Sequence, residues 1–373
     1  VPAVASSDYV VIGGGIVGAA VSYGLARAGE KVLLLDEGDI AFRAARGNFG
    51  NVWVQGKGGT SPAYADLTRR AANDWADFAR ELEERTGQDL HFRRPGAFYI
   101  CFSSEELQRR AETMARIDKS ATVASPFEVL DRPELAKRLP EIGQDVAGAT
   151  FCPSDGTANP LHLLRALISG TILLGGRYLP RQAALGLRAD GQGVAIDTQA
   201  GIVNAGKVVL AAGLGNEKLA PQLGMSAPVR PVRGQIMVTE KIRPFLHFGT
   251  NFIRQTLEGG CLFGESSEDA GMDDATTLPV LKETARRAIT AFPLLRNARV
   301  VRAWGALRIM TRDGVPVYQQ SRSCPGAFVL SVHSGVTLAP FHCGAIVEAL
   351  RAGVLDAGTF EPFSPERFHV QAA

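Results

Sequence analysis

The stretch Asp8-Tyr9-Val10-Val11-Ile12-Gly13-Gly14-Gly15-Ile16-Val17-Gly18 decides the fold. Its β-branched opening suits a strand buried on both faces, and the strand passes straight into glycines. A helix of small residues follows through Ala19, Ala20, Leu25 and Ala26. Lys31-Val32-Leu33-Leu34-Leu35 then reads as a second buried strand, closed by Asp36. Gly13 permits the tight turn, Gly15 lets backbone approach a pyrophosphate, and Gly18 lets the helix lie close to the strand. Phosphates favour a helix N-terminus, where unpaired N–H groups and the helix dipole attract anions. Asp36, about twenty residues on, can accept hydrogen bonds from an adenosine ribose. Glycines alone are a weak signal; strand, glycines, helix, strand and acid in that order predict a dinucleotide site. Its place at the extreme N-terminus favours FAD, because a substrate domain must then come later.

Downstream, Arg43-Ala44-Ala45-Arg46-Gly47-Asn48-Phe49-Gly50 and Val52-Trp53-Val54-Gln55-Gly56-Lys57-Gly58-Gly59 set glycines beside bulky residues. Such loops suit backbone packed against a flat ligand. Helical spacing of Leu67, Ala71, Trp75, Phe78 and Leu82 predicts an amphipathic helix over 63–86, with Trp75 in the core. Residues 91–102 read as a strand, 104–118 and 132–138 as helices, and 161–174 as a helix after a turn-rich junction. Lys207 to Leu210 forms another apolar strand running into Ala211-Ala212-Gly213, a second edge beside the cofactor. Strands are expected over 235–238, 252–256, 261–264, 300–304 and 327–332, with helices over 278–291 and 337–351. The tail from 359 to 373 reads as a surface strap.

The 373 residues are 46% hydrophobic and 21% charged, an ordinary globular balance with room for two domains. Forty Lys and Arg against 38 Asp and Glu give a net charge of +2, which selects no nucleic acid. Cys101, Cys152, Cys261, Cys324 and Cys343 are scattered without a CxxC pair. That argues against a disulfide framework and against a metal site, and for a reducing, cytoplasmic setting. Ser323 to Val347 carries no charged residue, but Pro325, Gly335 and Pro340 suit a buried strand, turn and helix better than a bilayer. No transmembrane or targeting segment is expected, and Val1 in place of Met means that the true start has been trimmed or that the sequence simply begins there.

Taken together, these residues resemble the D-amino-acid oxidase-like FAD-dependent oxidoreductases. The likeness rests on the N-terminal motif and Asp36, Arg46 to Gly50, and Pro231-Val232-Arg233-Gly234-Gln235. It continues through Trp304-Gly305, Arg308, Thr311, Asp313-Gly314 and Pro316, and ends at His333-Ser334-Gly335-Val336-Thr337-Leu338-Ala339-Pro340. Within that group the loop from Gly47 to Gly58 is most similar to β-type subunits of heteromeric D-hydroxyproline dehydrogenases and octopine or nopaline oxidoreductases of opine catabolism. The resemblance implies an α/β fold: a Rossmann-like FAD-binding domain of the glutathione-reductase type, interleaved with an α+β substrate domain on a mixed sheet. Residues 1–85, 150–225 and 300–358 would form the first, and 86–149 and 226–299 the second.

It further implies non-covalent FAD contacted by Gly13, Gly15, Ile16, Val17, Gly18, Asp36, Glu37, Asn48, Phe49, Gly50, Ala212, Gly213, Gly335, Val336, Thr337 and Leu338. A helix beginning after Gly335 would stabilise negative charge on the reduced flavin. The implied reaction oxidises the Cα–N bond of a secondary amino acid or opine by hydride transfer to flavin N5, and the imine then hydrolyses. Such a step needs positioning more than side-chain acid–base work, and no catalytic residue is assigned. Arg254, Arg308 and His333 are the candidate substrate contacts, since arginine suits a carboxylate. Arg233 belongs near the domain junction; each arginine reads equally well as a structural ion pair, and His333 as a buried structural residue. Partner subunits are implied, with room for FMN and an iron–sulfur cluster in the complex. Leu262 stands where sarcosine oxidases carry an oxygen-activating lysine, and Asn159 near where some relatives carry a flavin-linked histidine. A stand-alone oxidase releasing hydrogen peroxide is the alternative.

Overall fold

The computed structural model describes residues 3–38, 43–191, 193–264 and 266–369. Strand Ala3–Ile12 lies at the middle of an eight-stranded sheet. It pairs in parallel with Val32–Leu35 on one side and Gly201–Leu210 on the other, Ile12 lying opposite both Leu35 and Leu210. Arg177–Leu179 and Ala327–Ser331 extend the sheet in parallel, and Val317–Gln320 closes one edge antiparallel.

Both faces of these strands are covered, as their unbroken apolar runs require. Tyr9, Val11, Val32 and Leu34 pack under helices Ile16–Arg27, Pro62–Thr86 and Ala345–Ala352. Val10, Ile12, Leu33 and Leu35 pack on the opposite side against the hairpin of Ala184–Asp190 and Gly193–Thr198 and the segment from Leu219 to Ala227. The long helix starts where its sequence dictates: Ser61 accepts a hydrogen bond from Tyr64 N, Pro62 occupies the first turn, and Gly87 ends it at φ 67°.

A second body rests on two four-stranded sheets. In one, Arg230–Lys241 pairs antiparallel with Val300–Met310 and with Gly260–Phe263, which in turn pairs with Ile253–Gln255. The other holds Ala97–Cys101, Gly148–Cys152, Glu128–Asp131 and the short Gly249–Thr250. Phe98, Phe151, Phe252, Phe263 and Phe292 fill a core shared by both.

Four expectations change. The helix expected over 337–351 starts only at Ala339 and breaks at Gly344, giving Ala339–Cys343 and Ala345–Ala352; residues 335–338 form a turn. The strand expected over 300–304 runs on to Met310, so Arg308 lies within it. Of the strand expected over 91–102 the regular part is Ala97–Cys101; His91, at φ 51°, cannot continue an extended chain. The tail is more than a surface strap, because Phe360 and Phe363 are buried in the main core; Val370 to Ala373 lie outside the described residues. Among the described residues no helix is long and apolar enough to cross a membrane.

Candidate active site

At the nucleotide end, backbone does the shaping. Gly13 has φ 108°, and a β-carbon there would run into the backbone of Ala211 and Ala212 at the end of the neighbouring strand. Gly18 has no room either, since its β-carbon would overlap the Gly13 carbonyl. Gly15 is different: the space where its side chain would stand is open. Gly15 also caps helix Ile16–Arg27 without a side-chain hydrogen bond, and the first turn carries no acid. An uncapped, acid-free helix start beneath an open glycine fits a pyrophosphate. Asp36 is fixed close by, its carboxylate accepting from Gly14 N at 2.7 Å and Gly38 N at 2.9 Å. Glu37 points elsewhere, exposed and paired with Arg43 at 3.2 Å.

Ala212 and Gly213 sit beside this turn, where Asn216 holds the strand ends together. Its side chain accepts from Ala212 N and donates to the Leu210 and Leu330 carbonyls and to Ser331 Oγ. Nothing in the sequence pattern singles out Asn216, because the two strands it joins are far apart along the chain.

Two further segments converge here. Gly335 packs against Ile16 and Val17 at the start of the first helix. The turn it opens is held from below by Trp75, whose indole N–H faces the Val336 and Thr337 carbonyls, and by Trp53 N donating to Thr337 Oγ1 at 3.0 Å. Trp75 is thus core, as its spacing implies, and also a prop for this turn. Leu338 N and Ala339 N are already bonded to the Ser334 and Val336 carbonyls, so they are not open helix-end donors. The second segment, Asn48-Phe49-Gly50, is a turn closed by Asn48 Oδ1 accepting from Gly50 N at 2.8 Å, with Gly50 at φ 80°. Gly47 abuts Ala306, and the Phe49 ring covers Gly264. These contacts seat the turn against the strands of the second body.

The three candidate substrate contacts do not gather at one point. The positive charges of Arg308 and of Lys57, a third basic residue that the sequence did not single out, both act on His333. Burial, then the positive fields of Lys57 and Arg308, hold His333 well below the usual histidine range, so its ring is neutral at pH 7. Burial and Arg308 lower Lys57 to about 8, with Asp155 opposing. Arg308 donates to the Ser266 carbonyl at 2.7 Å and lies over Gly234, where any side chain would collide with it. His333 continues into a hydrogen-bonded chain through Ser334 to the Tyr64 hydroxyl.

Arg254 stands apart. Its Nη1 donates to the Ala158 carbonyl at 2.7 Å and the Gly50 carbonyl at 3.3 Å, clamping the Asn48–Gly50 turn to the residues before helix Pro160–Leu173. Burial lowers its guanidinium to about 10, and its Nε is buried without a partner. Arg233 is an ion-pair residue, bound to Glu268 at 2.8 Å and Asp273 at 2.6 Å. Asn159 caps the helix that follows, accepting from Leu161 N and His162 N.

Asp155 is a further residue without a sequence signal, because its role depends on a loop a hundred residues away. Fully buried, it accepts from Val54 N at 2.5 Å and from Gln55 Nε2 at 2.7 Å, and burial pushes it up to about 7. It anchors the loop that presents Lys57.

Comparison with known proteins agrees with this geometry. The family model described as FAD dependent oxidoreductase matches residues 8–350. The B subunit of opine oxidase from Agrobacterium tumefaciens (strain Ach5) is 39% identical over 98% of this chain and 99% of its own length. The Rhizobium meliloti protein of the same name is 38% identical over the same shares. The crystal structure of glycine oxidase from Geobacillus kaustophilus superposes with a TM-score of 0.88 at 25% identity, covering 96% of this chain and 98% of that one. The chain is a member of the FAD dependent oxidoreductase family.

Proposed function

We propose that this chain is an FAD-dependent dehydrogenase that oxidises the Cα–N bond of a secondary amino acid or opine, acting within a hetero-oligomer. The observation that carries the reading is the Gly335–Leu338 turn set against Ile16 and Val17 at the start of the first helix, with His333 two residues before it and the charge of Arg308 acting on His333. Likeness over nearly the whole length to two proteins named as the B subunit of opine oxidase supports both the substrate class and the assembly. Buried, unpaired cysteines support a reducing, cytoplasmic setting.

Gly13, Gly15, Gly18 and Asp36 would hold the dinucleotide half, with Ile16, Val17, Ala212 and Gly213 walling it. Asn48 to Gly50 and Gly335 to Leu338 would flank the ring system. Glu37 has the weakest claim, given its outward ion pair. When bound, FAD supplies a two-electron acceptor for the hydride lost from the substrate carbon. The protein's own part is to fix that carbon. Arg308 orients the substrate carboxylate, and neutral His333, tied through Ser334 to Tyr64, gives the amine a hydrogen-bonding neighbour without adding positive charge. Arg254 shapes the site at one remove through the Gly50 turn. The discontinuous division into 1–85, 150–225 and 300–358 against 86–149 and 226–299 is part of this proposal; Val300–Met310, assigned to the first, pairs with Arg230–Lys241 of the second and so carries Arg308 between the two.

Leu262, in strand Gly260–Phe263, favours a dehydrogenase over an oxidase, because a lysine there is what the oxidase resemblance would require. The test is turnover of octopine by the flavin-loaded chain with a dye acceptor and, separately, with oxygen. Dye reduction with release of pyruvate and little peroxide is the expected result. Stoichiometric peroxide from the isolated chain would replace this reading with the oxidase.

A further inference from the structure

A closed set of buried hydrogen bonds joins the sheet of the second body to the turn at Gly335–Leu338. Asp155, fully buried just after strand Gly148–Cys152, is its centre. Its Oδ1 accepts from Val54 N at 2.5 Å and Gln55 N at 3.4 Å, and its Oδ2 from Gln55 Nε2 at 2.7 Å. Gln55 is buried and saturated. Its Nε2 also donates to the Ala97 carbonyl at 3.2 Å, and its Oε1 accepts from Thr150 Oγ1 at 2.9 Å and Arg110 Nη2 at 3.2 Å. Those partners fix which way the amide faces, because turning it over would set its NH2 against the guanidinium and its oxygen against the carboxylate. Arg110 is itself seated, over the Tyr99 ring at 4.1 Å and in the side-chain space of Gly56.

On the other side of Val54 stands Trp53. Its N–H donates to Thr337 Oγ1 at 3.0 Å, and the Thr337 hydroxyl reaches the Asn51 carbonyl at 3.4 Å. Trp53 N and Val54 N belong to consecutive rigid peptide planes joined at one α-carbon, so a shift of either is felt at the other. Asp155 accepts only from N–H groups, and a proton on it would set an O–H against one of those donors. Burial pushes it up to about 7, opposed by these donors and by the charge of Arg110; its field in turn acts on Lys57 and Cys152. We propose that Asp155 and Gln55 are positioning residues for the flavin: through Trp53 and Thr337 they set the Gly335–Leu338 turn from the sheet of the second body. This rests on the placement of that turn beside the ring system and extends it.

The test compares D155N, T337V and the double variant. D155N keeps the shape of the acid but turns an NH2 toward the Gln55 amide, and T337V removes the hydroxyl while keeping the branch. One readout is amide hydrogen exchange across residues 335–339 in the flavin-free chain. The other is the FAD dissociation constant, from quenching of flavin fluorescence, between about pH 5.5 and 8.5. At the upper end of that range D155N should speed exchange across the turn about tenfold and weaken FAD about tenfold. T337V should do the same, and the double variant should lose no more than about threefold beyond either alone. Wild-type FAD affinity should fall as pH drops through about 7, where Asp155 takes up a proton, and D155N should abolish that step. Should D155N not fold, T150V removes one bond to Gln55 and should move both readouts about threefold. Additive losses, or a pH step that survives in D155N, would overturn the relay. If D155N and T337V quicken exchange but leave FAD binding unchanged, the relay to the turn stands and the placement of the turn beside the flavin fails. If T337V weakens FAD while D155N alters neither readout, the relay fails and the placement stands.

Discussion

The two ends of the site are made differently. At the nucleotide end, backbone from consecutive residues does the work: two crowded glycines, one open glycine and an acid held by neighbouring N–H groups. At the substrate end, side chains from loop, strand and turn act on one another only after folding, with Lys57 far along the chain from Arg308 and His333. A backbone device leaves a local signature and tolerates few substitutions. A side-chain device leaves none, and can be retuned one residue at a time.

The largest effect should fall on the crowded glycines. G18V drives a branched side chain into the Gly13 carbonyl, so the purified variant should lose nearly all bound flavin, read as the flavin-to-protein ratio. G15A sharpens the contrast. Its β-carbon meets no protein atom, so the flavin-free variant should melt within a few degrees of wild type while FAD affinity falls about tenfold or more. Equal destabilisation of both flavin-free variants would erase the distinction between space used for packing and space kept for a ligand.

That contrast also explains what is legible in the sequence. The parallel sheet, the long helix and the Gly13–Asp36 motif can be read because each depends on periodicity or on adjacent residues. The split of the last helix at Gly344 cannot, since a run of small and apolar residues fits one helix or two. Arg254 and Arg233 illustrate the harder limit. Sequence places both in the inserted body, but only the folded chain gives one to the Gly50 and Ala158 carbonyls and the other to Glu268 and Asp273. Lys57 carries no signal of its own because the residue its charge acts on, His333, is far along the chain.

At the substrate end, R308M should lower kcat/KM for a carboxylate-bearing amine by about a hundredfold, with flavin content kept. Loss of flavin along with activity would make Arg308 a structural residue, like Arg233. The smallest effect belongs to Glu37: E37Q breaks only an exposed pair with Arg43 and should change FAD affinity by no more than about threefold. A larger change would move Glu37 back among the cofactor contacts.

The most direct test of the whole account is the visible spectrum of the flavin-loaded chain under anaerobic conditions, with octopine, nopaline, D-hydroxyproline, L-proline and sarcosine added in turn. An oxidised flavin band that octopine or nopaline bleaches is the expected result. A chain that purifies without flavin and takes up none, or a flavin band that all five compounds leave unchanged, would contradict it.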